Sequence, residues 1–76
     1  MQTANAANIY VNTTGNDASG NGNINNPYKT INWGITKATS GDTVNIGTGT
    51  FGTYTNATSK DYNITINKNN IPTAPI

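Results

Sequence analysis

Three carboxylates (Asp17, Asp42, Asp61) and four lysines (Lys29, Lys37, Lys60, Lys68) are the only charged side chains in this chain. Two carboxyl groups about 5 to 9.5 Å apart, one with a raised pKa, would suit glycoside hydrolysis. A β-elimination would need a base with a cation near the substrate acid. Neither pattern is legible here. Asp42 falls in Ser40-Gly41-Asp42-Thr43, where a short acid hydrogen-bonds a turn. Asp61 reads as the polar start of a strand. His, Cys, Arg and Glu are absent. The usual general base and the usual transition-metal ligands are therefore missing. No residue is assigned a catalytic role, and the expectation is that this chain is not an enzyme.

A hard cation would need six to eight oxygens. Asp17, with Asn16, Asn21, Asn23 and Asn25, forms an oxygen-rich loop. One carboxylate supplies little charge and the spacing is not that of an EF-hand. The loop reads as turn-forming, with Asp17 the one metal candidate and no cofactor expected. Gly15, Gly20 and Gly22 do not follow phosphate-loop spacing. Asn12, Asn56 and Asn63 each open an Asn-x-Thr triplet, a glycan acceptor in an exported protein. With fifteen Asn and fourteen Thr in the chain, chance could produce the same three.

Seventy-six residues allow one small domain. Charged residues are 9% of the chain, against about 25% in ordinary proteins. A net charge of +1 with scattered lysines gives no electrostatic case for nucleic acid. No apolar run approaches the roughly 20 residues that span a bilayer, so no membrane insertion is expected. Ala4-Asn5-Ala6 has the small-x-small pattern that precedes signal-peptidase cuts, and a tail of small residues fits equally well.

The elements that would position these residues follow from periodicity. Ile9-Tyr10-Val11-Asn12 alternates as a strand. Residues 13–26 form a polar loop. Asn26 caps a helix from Pro27 to Ala38, with Tyr28, Ile31, Ile35 and Ala38 on one stripe. Trp33 lies about 200° around from Ile31, off that stripe. It is a contact or sugar-stacking residue, or it packs under the 13–26 loop. Gly34 costs the helix about 1 kcal/mol relative to Ala, which a close packing contact would offset. Gly41 closes the helix in the left-handed conformation. Strands follow at Thr43–Ile46 and at Tyr62–Asn67, and Phe51 and Tyr54 follow a Gly-rich bend. Val44/Ile46 recurs as Ile64/Ile66 at an offset of 20, which suggests stacked coils. The core is expected to hold Ile9, Val11, Tyr28, Ile31, Ile35, Ala38, Val44, Ile46, Phe51, Tyr54, Ile64 and Ile66.

Taken in order, Ile9-Tyr10-Val11-Asn12, Gly15-Asn16-Asp17, Asn26-Pro27-Tyr28-Lys29-Thr30-Ile31, Ala38, Gly41-Asp42-Thr43-Val44 and Gly49-Thr50-Phe51 form a pattern. It resembles the N-terminal cap and first coil of right-handed parallel β-helix proteins of the pectin-lyase-like superfamily. The Asn/Thr-rich, Cys-free style is most similar to adhesin-like surface proteins of methanogenic archaea. The resemblance covers about residues 9 to 67. Trp33 and Gly34 depart from it, standing where a small polar residue and Ala are usual.

The resemblance implies a mainly β fold: a parallel β-helix cap with one short helix and about two coils. Residues 1–8 would be a tail, 9–70 the cap module, and 71–76 a tail or the start of a next coil. The implied function is a structural cap or assembly module of an extracellular or cell-surface protein. Its partners would be the rest of a parent chain or further copies in an oligomer or fibre, and cell-surface carbohydrate. Trp33, Tyr62, Ile64 and Ile66 are the contact candidates. The competing reading is the N-terminal part of a polysaccharide lyase or glycoside hydrolase whose active site lies on later coils, since fold alone does not set function.

Overall fold

A computed structural model describes residues 7–67. The elements are β1 (Asn8–Val11), α1 (Ile31–Lys37), β2 (Thr43–Ile46), β3 (Gly49–Phe51), β4 (Tyr54–Asn56) and β5 (Tyr62–Thr65). The fold is mainly β with one short helix among the described residues. One sheet has the order β1-β2-β5 and the other is the β3-β4 hairpin. Lys68 and the segment 71–76 lie outside the described residues.

β1 and β2 run parallel, with Ile9 beside Val44 and Val11 beside Ile46. Parallel neighbours need a long crossover, and residues 12–42, with the polar loop and α1, supply it. Strand alternation sends Ile9, Val11, Val44, Ile46 and Ile64 to one face. Val11, Tyr28, Ala38, Val44, Ile46 and Ile66 form the buried core, and Ile9, Ile31, Ile35, Phe51 and Ile64 pack half-buried against it. Tyr54, expected inside, is 39% exposed and sits beside Tyr62 with ring centroids 6.3 Å apart.

Several expectations are corrected. β5 pairs with β2 antiparallel, with Val44 opposite Ile64 and Ile46 opposite Tyr62. The recurrence at offset 20 therefore marks two antiparallel partners and not two successive parallel coils. The helix begins at Ile31, not Pro27, and its N-cap is Thr30, whose hydroxyl accepts from the Trp33 N–H at 3.2 Å. Asn26 is no helix cap: its carbonyl accepts the N–H groups of Asn21 and Gly22. Tyr28 is extended, bridging to Val11 in parallel. The Tyr28 main chain bonds Tyr10 and Asn12, and the Lys29 and Thr30 N–H groups bond Asp17, which keeps residues 28–30 out of the helix. Nor does the tail reach residue 8, since Asn8 is in β1 and the Ala7 carbonyl accepts from the Thr43 N–H.

α1 lies on β1 and β2. Gly34 is the buried position of the helix. A Cβ there would stand 2.5 Å from Val11 Cγ2, so the glycine is what lets helix and sheet approach. Gly41 serves a turn and not a helix end. It has φ 93 and is the third residue of a turn closed by the Asp42 N–H to the Thr39 carbonyl at 3.0 Å. Its own N–H bonds the Ile66 carbonyl, while the Ile66 N–H bonds the Asp42 carbonyl, each at 2.8 Å. This is the geometry of a bulge opened by a left-handed glycine.

The Asp42 side chain, 5% exposed, completes the corner. Oδ1 accepts from the Ala7 N–H at 2.9 Å, and Oδ2 from the N–H and hydroxyl of Thr39 at 3.0 and 3.1 Å. One residue thus ties the start of β1, the turn and the end of β5.

Two outcomes follow from this packing. Gly34→Ala gains helix propensity of about 1 kcal/mol but overpacks a site where that costs about 1–3 kcal/mol. A lowered melting temperature is expected, partly restored when Val11→Ala is added; a Gly34→Ala protein more stable than the parent would contradict the close approach. Asp42→Ala leaves the Ala7 and Thr39 N–H groups without their part-buried charged acceptor and should cost about 1–3 kcal/mol in urea unfolding. An unchanged midpoint would refute its role at the corner.

Candidate functional site

The two edges of the main sheet differ. On the outer side of β1, the Tyr10 N–H bonds the Gly22 carbonyl at 2.8 Å, and the Tyr28 N–H bonds the Tyr10 carbonyl at 3.0 Å. The Asn12 N–H bonds the Tyr28 carbonyl at 2.8 Å. The crossover loop thereby covers that edge. Its shape is held by side-chain amides: Asn16 Oδ1 accepts from Ala18 and Ser19, and Asn21 Oδ1 from Asn23.

On the other edge, no strand among the described residues pairs with the outer side of β5. Antiparallel strands alternate hydrogen-bonded and non-bonded pairs. Ile66 bonds inward to Gly41 and Asp42, and Thr43 donates to Ala7 on the β1 side. By that alternation Ile64 and Tyr62 bond to β2, and the main-chain groups of Asn63 and Thr65 point away from it. Such a row is a template for another strand.

The contact candidates separate on this edge. Tyr62 is 55% exposed, Ile64 is half-buried, and Ile66 is in the core. Ile66 is therefore no contact residue: its side chain packs inward and its main chain is bonded on the inner side. Lys60 and Asp61, both exposed, precede the strand. Trp33 lies on α1, 38% exposed, with the Lys37 ammonium 5.4 Å from its ring centroid. That contact is a cation–π pair on the helix surface. α1 packs mainly against β1 and β2, so Trp33, on the helix, stands apart from the outer edge of β5.

The three Asn-x-Thr sites are equally unlike. Asn56 is 4% exposed, and its Nδ2 donates to the carbonyls of Ile46, Gly47 and Lys60 at 3.1, 3.3 and 3.0 Å. Its Oδ1 accepts from the N–H and hydroxyl of Thr58. A glycan on that nitrogen would disrupt this set, so Asn56 is a structural amide that pins the β3-β4 hairpin to the end of β2. Asn12 is half-buried, and its Oδ1 accepts from the N–H and hydroxyl of Thr14. Asn63 is exposed, opposite Asn45 in the sheet.

Asp17 holds the start of the helix. Oδ1 accepts from the Lys29 and Thr30 N–H groups at 2.7 and 3.0 Å, and Oδ2 from the Thr30 hydroxyl at 2.6 Å. Desolvation pushes its pKa up. The Thr30 hydroxyl, the Thr30 and Lys29 N–H groups and the Lys29 charge outweigh that and hold it below the ordinary 3.8. Both oxygens face protein donors, which a calcium ion would have to displace. The Asp17–Thr30 contact escaped the sequence reading. Its only trace was a Thr three residues before Trp33, in the spacing of an N-cap.

No family model, curated protein or solved structure matches this chain.

A carboxylate with a depressed pKa contributes stability above its ordinary pKa, and that contribution is lost as pH falls through the depressed value. Asp17→Asn should therefore lose less melting temperature than the parent between neutral pH and pH below 3.8. Parallel losses in the two proteins would exclude this role for Asp17.

Proposed function

We propose that this chain is a structural cap and assembly module, and not itself a catalyst. The observation that carries this reading is the asymmetry of the main sheet. One edge is closed by main-chain bonds from the loop to β1, and the other, β5, has no partner strand among the described residues. A terminal module needs that asymmetry, because an end must stop growth on one side and accept a neighbour on the other. The parallel β1-β2 step, with a helix in its crossover, supports a place at the end of a β-helix of the adhesin-like kind. The antiparallel β5 departs from that pattern. The exposed Asn63, with Thr65 on the same face of β5, supports an extracellular or cell-surface setting. On this reading the neighbour is the rest of a parent chain or another copy, joined by strand addition at β5.

Asn63→Pro tests the edge without disturbing the ladder to β2, because it removes an N–H that points outward. Sedimentation should show the parent associating as concentration rises from micromolar to millimolar. Asn63→Pro should stay smaller while keeping the parent's melting behaviour. A parent that remains a monomer throughout, or a folded Asn63→Pro that assembles equally well, would overturn the proposal.

A further inference from the structure

The β3-β4 hairpin and the start of α1 enclose a cleft of about 400 Å³. Its volume is in the range of small-ligand sites, and such sites combine apolar walls with a few polar groups. Ile31 and Phe51 supply the apolar surface, both half-buried against the core and so fixed in place. Thr13, Lys29, Asn32 and Thr50 supply the polar groups.

The polar groups around the cleft are engaged to different extents. The Thr30 hydroxyl at its edge donates to Asp17 and accepts from Trp33, and the Thr50 hydroxyl bonds that of Thr55 at 3.1 Å. The Lys29 ammonium, the Asn32 amide and the Thr13 hydroxyl make no hydrogen bond to the described residues. No acidic side chain lines the cleft. Asp17, the acid nearest in sequence, turns both oxygens to the Lys29 and Thr30 main chain and the Thr30 hydroxyl. What faces the cleft is one cation, two uncharged donors and an apolar floor.

We propose that this cleft binds a small organic monocarboxylate with a flat apolar body. Lys29 would meet the carboxylate, Asn32 and Thr13 would donate to its oxygens, and the body would lie on Phe51 and Ile31. A bare anion would leave the apolar floor wet, and a neutral ligand would make no use of the Lys29 charge, part of which already acts on Asp17. The inference is independent of assembly through β5, since no residue of β5 lines the cleft.

Phenylacetate is a suitable probe, followed by amide NMR. Saturable shifts are expected at Thr13, Ile31, Asn32, Thr50 and Phe51. Phenylacetamide, and phenylacetate with Lys29→Gln, should each bind about three- to fivefold more weakly, the scale of an exposed charge pair, and inorganic phosphate should bind more weakly because it has no apolar body to cover Phe51 and Ile31. Lys29 is exposed and its main-chain bond to Asp17 does not need the ammonium, so Lys29→Gln should keep the parent spectrum elsewhere. Asn32→Ala, also at an exposed position, gives a second variant with the same expected direction. The absence of saturable shifts, equal binding of phenylacetamide or phosphate, or unchanged affinity in both variants would each overturn the proposal.

Discussion

The corner at Asp42 is the constraint on which the rest of the structure depends. A carboxylate this deeply buried is sustained only by partners, and those of Asp42 come from parts of the chain far apart in sequence. Its Oδ1 holds Ala7, which sets where β1 begins beside β2. Its main-chain carbonyl holds Ile66, which sets where β5 ends. Gly41 makes this feasible, because a left-handed residue turns the chain and opens the bulge in one position. With β1 and β5 located against β2, the alternation of side chains leaves one apolar face for α1 to cover.

The chain builds its loops by a consistent device. Asn oxygens accept main-chain N–H groups two residues on, at Asn12, Asn16, Asn21 and Asn56. The same chemistry disfavours these residues in helix interiors. Here it satisfies turn donors that a small domain cannot bury in regular structure. Asn56 goes further, using its nitrogen to fasten a hairpin to the sheet. An Asn-rich composition is thus a structural material in this protein, and an Asn-x-Thr triplet is as much a turn signature as a glycan acceptor.

The open edge and the cleft occupy different parts of the molecule. β5 carries the main chain left unpaired among the described residues, and the cleft lies between α1 and the β3-β4 hairpin. The hairpin was not legible in sequence, where Phe51 and Tyr54 only followed a Gly-rich bend and their pairing had no local signal. Its pairing of Thr50 with Thr55 and Phe51 with Tyr54 puts one wall on the cleft. Lys29 looked like an isolated surface lysine, because nothing local indicates that residues 50–52 return to face it.

Local chemistry determined a good deal. Alternation located β1, β2 and β5, and spacing of three and four placed Ile31, Ile35 and Ala38 against the sheet. The turn residue Asp42 was recognisable from Ser40-Gly41-Asp42, and the glycine at 34 announced a close contact. These features depend on neighbours within a few residues. Whether β5 ran parallel or antiparallel depended instead on main-chain pairing, to which side-chain alternation is blind, because a strand shows the same two faces in either direction. The start of α1 was decided by Asp17, which fixes Thr30 from thirteen residues away, and by the bridge of Tyr28 to Val11. Which sheet edge stayed open was likewise set by where the crossover loop found hydrogen-bond partners, and that is a property of the folded chain.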